Sequence, residues 1–161
     1  MNAHEIIVRL DALAAAGTPL DELLRAAVHG VHGLSPRFHW TGIYELGSDG
    51  VLRLGPFVGA PTEHTAIPVG QGVCGTAVAE RRDLNVPDVR EVGNYLACSL
   101  QTRSELVVLV RSADVIHAQI DIDSHEVAAF DAGVESEVRA VADRLAVAYA
   151  GGARPGKPPP A

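Results

Sequence analysis

The stretch ELVVLV at residues 105–110, followed by RSAD at 111–114 and VIHAQIDI at 115–122, decides the fold. Both apolar runs are rich in β-branched residues, which pack well on a pleated surface. The four residues between the runs are small or polar and suit a turn. The pattern therefore predicts two antiparallel strands joined as a β-hairpin.

A second hairpin is predicted earlier in the chain. From Phe38 the apolar spacing has a period of two, with Trp40, Gly42 and Tyr44 on one face. The turn residues SDG at 48–50 then precede another apolar run at 51–54. The predicted strands therefore lie in the middle of the sequence.

Helical spacing of apolar residues flanks these strands. Thr18, followed by Pro19, predicts a capped helix start, and the apolar stripe at 20–31 follows it. A weaker helix is predicted at 3–15, and a last helix at 134–148. The expected fold is α+β: an antiparallel sheet carries the terminal helices on one face and leaves the other face free for a ligand pocket.

Length and composition limit the class of protein. With 161 residues and 47% hydrophobic content, the chain should form one domain at 1–150, followed by a disordered tail rich in Pro and Gly at 151–161. A net charge of -7 and scattered basic residues argue against a nucleic-acid partner. No apolar run predicts a membrane partner or an export signal, so a cytoplasmic location is expected.

A glycine motif, GQGVCG at 70–75, matches the dinucleotide-binding pattern but lacks its context. Pro68 does not suit a central parallel strand, and strands do not alternate with helices as that pattern requires. No cofactor is expected. The glycines should instead shape the entry to a short helix at 73–80.

The two cysteines have different surroundings. Cys74 lies among apolar residues of the short helix, where the simplest interpretation is a small buried hydrophobic residue. Cys98 lies in a polar segment at 94–102, where an accessible and reactive thiol is expected. A zinc site built from both cysteines, His64 and a carboxylate fits no familiar ligand spacing, so no metal is expected.

Three carboxylates lie where the strands of the 105–122 hairpin meet. Asp121 and Asp123 should point to the same face, and Glu105 begins the neighbouring strand. Two interpretations stay open. The groups are solvated strand ends, with Asp123 or Ser124 capping the next helix, or they form a cluster in which like charges keep one carboxyl protonated as an acid. Trp40, taken alone, is expected to pack in the core.

Six segments occur in an order and at a spacing that resemble a known family. They are WTGIY at 40–44, LGPFVG at 54–59, IPVGQGVCGTA at 67–77, LAC at 96–98, RSE at 103–105 and DIDS at 121–124. Together they resemble the free methionine-R-sulfoxide reductases, which are stand-alone GAF domains. The resemblance implies a GAF fold and thiol-dependent reduction of free L-methionine-(R)-S-oxide to methionine through a cysteine sulfenic acid.

The resemblance also implies the site residues and the partners. The implied residues are Cys98 as the attacking thiol, Glu105, Asp121 and Asp123 as pocket carboxylates, and Trp40 and Tyr44 as an aromatic wall. Cys74 is the other cysteine of the sequence and is therefore expected to be the internal thiol that resolves the sulfenic acid. The implied partners are free methionine-R-sulfoxide and a reductant, either thioredoxin or a small thiol, and a homodimer is left open. The alternative is a non-catalytic GAF module that binds a small ligand or senses redox state.

The chain departs from the family pattern in three places. Residues 63–65 read EHT where many relatives carry a further cysteine. Residues 95–99 read YLACS where the family often has His-Ile-Ala-Cys-Asp. Residues 117–119 read HAQ where relatives often carry a glycine-valine step.

Overall fold

The computed structural model describes residues 1–93, 95 and 100–151 and arranges them around one six-stranded sheet. In chain order the elements are α1 (Ala3–Ala15), α2 (Leu20–His32), β1 (Trp40–Leu46), β2 (Val51–Val58), β3 (Ala66–Pro68), α3 (Gly72–Glu80), β4 (Leu84–Val86), a 3₁₀ turn (Val89–Glu91), β5 (Ser104–Ser112), β6 (Val115–Ser124) and α4 (Ala132–Gly151). The predicted α+β class is confirmed.

The strand order across the sheet is β3-β2-β1-β6-β5-β4, and every neighbouring pair is antiparallel. Both predicted hairpins are present, as β1–β2 and β5–β6. The edge strand β3 contains Pro68, which an edge strand tolerates because one side of its backbone has no ladder partner. The centre of the sheet is β1, β6 and β5.

One face of the sheet is covered by α1, α2 and α4. Their apolar residues meet the inward side chains of β5 and β6, including Leu24, Val28, Leu106, Ile120 and Val141, each at most 1% exposed. Full burial of one such side chain contributes about 1.5–3 kcal/mol to folding. This face forms the larger core and confirms the predicted packing of the terminal helices.

The opposite face is partly covered by the short helix α3. A second apolar cluster lies between α3 and the sheet and includes Tyr44, Leu52, Val73, Ala77 and Leu109. Side chains two residues apart along a strand lie on the same face, so every second residue of β1, β5 and β6 points towards this cluster. The face expected to hold a pocket therefore lies between the central strands and α3.

The predicted cap of α2 is wrong. The helix begins at Leu20 after Pro19, whose carbonyl accepts from the Leu23 N–H, and no side chain caps it. Thr18 instead belongs to the end of α1, because its N–H donates to the Leu13 carbonyl after a turn at Gly17, where φ is +79°. Glycine adopts that left-handed conformation without strain.

The last helix is longer than the sequence pattern predicted, since α4 spans Ala132–Gly151 and the pattern covered 134–148. The helix α4 ends at Gly151, the first residue of the predicted tail. Residues 152–161, which make up the rest of the predicted tail, lie outside the described residues. Within the described ranges, none of the helices combines the length and apolar content needed to cross a membrane.

Candidate active site

Strand register brings the three predicted carboxylates together. Asp123 of β6 pairs with Glu105 of β5 on one side and with Trp40 of β1 on the other. Asp121 pairs with Gly42 and lies two residues along the same strand, so its side chain points to the same face. The predicted proximity of the three carboxylates is confirmed.

These carboxylates are buried. Glu105 is 3% exposed, Asp121 is 0% exposed and Asp123 is 1% exposed. The interpretation of solvated strand ends is therefore wrong, as is the suggestion that Asp123 or Ser124 caps the next helix. The N–H of Val134 at the start of α4 instead donates a hydrogen bond to Oδ1 of Asp131.

The Cys74 side chain reaches the carboxylate cluster from α3. Its Sγ donates to Glu105 Oε1 over 3.8 Å. One ligand atom from each of Cys74, Glu105 and Asp121 lies within 4.8 Å of the other two. Cys74 is 4% exposed, so its predicted burial is confirmed, but its thiol faces charged groups as well as apolar ones.

Burial raises the pKa values of two of the carboxyls. The pKa of Glu105 lies well above its ordinary value because of burial and because of the negative charges of Asp121 and Asp123. Burial raises the pKa of Asp121 to about 6, and the nearby Glu105 and Cys74 side chains offset part of this effect. Burial and like charges therefore favour the protonated form of Glu105, which is the direction that the acid interpretation of the cluster requires.

The predicted aromatic wall is next to the cluster. The rings of Trp40 and Tyr44 lie 6.2 Å apart between centroids. The indole N–H of Trp40 donates to the Ala60 carbonyl over 3.1 Å, and the hydroxyl of Tyr44 donates to the His64 carbonyl over 2.7 Å. Trp40 is 5% exposed and Tyr44 is fully buried. Both rings are therefore fixed by polar anchors, and the core packing expected for Trp40 is confirmed.

Sequence reasoning gave no role to Gly42 or Phe57, which complete this wall. Phe57 stacks on Trp40 with ring centroids 5.8 Å apart. A Cβ at Gly42 would lie 2.3 Å from the indole of Trp40, so the ring can take this position only because residue 42 is glycine. A glycine inside a strand pattern is the signal that could have revealed this close approach.

Gln119 was also missed as a residue of this face. It lies on β6 between Tyr44 and Leu109 and is fully buried. Neither polar atom of its amide has a hydrogen-bond partner in the described part of the chain. A buried amide of this kind carries a desolvation cost.

Cys98, the predicted attacking thiol, lies outside the described residues, as do the neighbouring positions 96, 97 and 99. Tyr95, just before them, is half-buried and packs against the apolar cluster beneath α3. The role of Cys98, like the other assigned roles, stays a prediction at this point.

Similarity to known proteins agrees with this arrangement. The GAF domain model matches residues 19–149. The chain is 41% identical over 86 residues to free methionine-R-sulfoxide reductase of Escherichia coli, a match that covers 53% of this chain and 51% of that protein. It is 38% identical over 94 residues to GAF domain-containing protein A of Dictyostelium discoideum, covering 58% of this chain and 59% of that protein. The chain thus spans little more than half the length of these relatives.

Solved structures match over more of the chain. The type II free methionine-R-sulfoxide reductase from Thermoplasma acidophilum is 38% identical, with a TM-score of 0.74 over 80% of this chain and 93% of that one. The reductase from Neisseria meningitidis in complex with its substrate is 28% identical, with a TM-score of 0.83 over 92% of this chain and 88% of that one.

Proposed function

Because this chain belongs to the free methionine-R-sulfoxide reductase family of GAF domains, we propose that it reduces free methionine-R-sulfoxide to methionine with Cys98 as the attacking thiol. The observation that carries the proposal is the buried cluster of Glu105, Asp121 and Asp123 beside a fixed aromatic pair. A reductase of this kind needs a proton donor, a charged anchor for a free amino acid and an apolar surface, and this face offers all three.

The chemical step leaves one oxygen fewer on the substrate sulfur and one more on the Cys98 sulfur. The Cys98 thiolate attacks the sulfoxide sulfur while the sulfoxide oxygen accepts a proton, which makes that oxygen a better leaving group. The sulfur–oxygen bond of the substrate breaks as the oxygen leaves as water, and a new bond joins the Cys98 sulfur to the substrate sulfur. A water molecule then attacks the Cys98 sulfur and breaks that bond, which leaves methionine and a Cys98 sulfenic acid. The substrate sulfur is reduced by two electrons and the cysteine is oxidised by two.

Glu105 is the proposed proton donor. Burial and two negative neighbours raise the pKa of its carboxyl well above the ordinary value and so favour the protonated form that a proton donor needs. Asp121 and Asp123 are the proposed anchors for the substrate ammonium, since buried carboxylates bind a cation strongly. Trp40 and Tyr44 would hold the apolar part of the substrate side chain.

Cys74 is the proposed resolving thiol. It condenses with the Cys98 sulfenic acid to form a disulfide and water, and thioredoxin or a small thiol then reduces that disulfide by exchange. Tyr95 supports this pairing, because it lies three positions before Cys98 in the sequence and packs on the cluster that contains Cys74. Three residues of chain span at most about 11 Å.

The test is steady-state reduction of free methionine-R-sulfoxide by thioredoxin or dithiothreitol, with the S epimer as the stereochemical control. Cys98→Ser should abolish turnover without loss of folding. Glu105→Gln should lower the rate by about 100-fold or more, the scale for loss of a positioned acid. Glu22→Gln, at an exposed position of α2, is the matched control and should keep the wild-type rate.

The N-acetylated, C-amidated substrate should react far more slowly than the free amino acid. Without its ammonium group, the blocked substrate leaves buried carboxylates unpaired. Turnover in Cys98→Ser would remove that residue from the mechanism. Binding of the R epimer without any turnover by the wild type would favour a ligand-binding GAF module instead.

A further inference from the structure

The thiol and carboxylates on the site face have the composition of a metal site. Cys74, Glu105 and Asp121 each contribute one ligand atom, and the three atoms lie within 4.8 Å of one another. All three side chains are at least 96% buried. The ligands come from α3, β5 and β6, so the sequence spacing that characterises zinc fingers and ribbons cannot reveal them.

A second observation concerns Asp121 itself. Both of its carboxylate oxygens are buried, and no group among the described residues donates a hydrogen bond of normal geometry to either. Buried carboxylates are otherwise paired with a donor or bound to a metal. One Asp121 oxygen already points into the space shared with the Cys74 thiol and the Glu105 carboxylate.

We propose that Cys74, Glu105 and Asp121 bind one Zn²⁺ ion and that the occupied site is inactive. Four-coordinate zinc at bond lengths of about 2.3 Å to sulfur and about 2.0 Å to oxygen places those ligand atoms about 3.5 Å apart. The observed 3.8 Å between Cys74 Sγ and Glu105 Oε1 requires only a small closure. A thiolate among the ligands favours zinc over Mg²⁺ or Ca²⁺, which prefer oxygen alone.

Binding involves no oxidation or reduction. Zinc takes the places of the thiol proton and of any carboxyl proton, and these protons pass to the solvent. Three protein ligands leave a fourth position for water. The inhibitory part of the inference rests on the proposed function, because zinc would occupy both the proton donor and the resolving thiol. Zinc binding itself does not depend on that function.

Zinc affinity is measured on the full chain, freed of metal with a chelator, by competition with a chromophoric zinc indicator. About one zinc per chain should bind. Cys74→Ser and Asp121→Asn should each weaken binding by at least about 10-fold, since even residues that only support metal ligands cost 10–100-fold when changed. Asp114→Asn, an exposed carboxylate in the β5–β6 turn, is the matched control and should bind like the wild type.

Co²⁺ provides a second readout that loss of folding cannot imitate. Tetrahedral Co²⁺ with a thiolate ligand gives strong visible absorption and a sulfur-to-metal charge-transfer band. The charge-transfer band should disappear in Cys74→Ser and remain in Cys98→Ser. The opposite pattern, or wild-type affinity in both Cys74→Ser and Asp121→Asn, would overturn the proposed site.

Inhibition is measured in a single turnover, which needs no added thiol that could bind zinc. One equivalent of zinc should suppress methionine formation at least 10-fold, and a chelator should restore it. Full activity with zinc bound at this site would overturn the inhibitory part. A metal-free wild type that makes no methionine would instead contradict the proposed function while leaving the zinc measurement intact.

Discussion

Asp121→Asn should make the protein more stable at neutral pH while impairing its reaction. Burial raises the pKa of Asp121 to about 6, against an ordinary value of 3.8. A raised carboxyl pKa means that the folded state holds the proton more tightly than the unfolded chain does. The folded protein therefore loses stability as pH rises from about 4 to above 6, where the carboxylate becomes a buried charge.

The size of this effect follows from the pKa difference of about 2.2. Each unit is worth about 1.4 kcal/mol, so ionised Asp121 destabilises the fold by about 3 kcal/mol above pH 7. Asn has nearly the same shape and no charge. The variant should match the wild type near pH 4 and exceed it by up to about 3 kcal/mol at pH 8, or about 6–12 °C in melting temperature.

The measurement is urea unfolding of both proteins between pH 4 and pH 8, with a chelator present so that no bound metal contributes. The difference in unfolding free energy should grow through the region around pH 6. Asp143→Asn, at an exposed position of α4, is the control and should show no such growth. Equal pH dependence in Asp121→Asn and the wild type would refute the claim that this buried carboxylate costs stability.

Three further predictions concern neighbouring residues. Gln119→Met should raise the free energy of unfolding, measured in urea, by about 1–3 kcal/mol, because it removes a buried amide that has no hydrogen-bond partner among the described residues. A loss of stability would show that the amide does have a hydrogen-bond partner. Gly42→Ala should destabilise the fold and raise KM, since the new Cβ would displace the Trp40 ring. An unchanged KM would show that the Trp40 ring does not contribute to substrate binding. Cys74→Ser should complete the first turnover but cycle much more slowly than the wild type with thioredoxin as the reductant. A cycling rate equal to that of the wild type would show that Cys74 does not resolve the Cys98 sulfenic acid.

The sequence was sufficient to predict the sheet and the helices that cover one face. The alternation at 105–110 and 115–122 is a local property, and a period of two fixes which residues share a face. For the same reason, the sequence predicts Asp121 and Asp123 on one face and close to Glu105, and the register of β5 and β6 confirms it.

Burial and long-range contacts could not be predicted in this way. Alternation assigns Glu105 to one face of the sheet but does not show whether another element covers that face. The sequence therefore could not show whether Glu105 is solvated or buried. The contact between Cys74 and Glu105 joins residues 31 positions apart and depends on how α3 packs. The prediction that Thr18 caps α2 is wrong because its backbone N–H donates to the Leu13 carbonyl at the end of α1. The sequence pattern around Thr18 does not show that hydrogen bond.

The central claim is that the Cys98 thiol removes oxygen from the R epimer of free methionine sulfoxide. The most direct measurement is a single turnover with the reduced, metal-free protein, excess sulfoxide and no added reductant, with methionine counted by chromatography. The account predicts about one methionine per chain from the R epimer, none from the S epimer, and none from Cys98→Ser. Equal methionine from both epimers, or none from either, would contradict it.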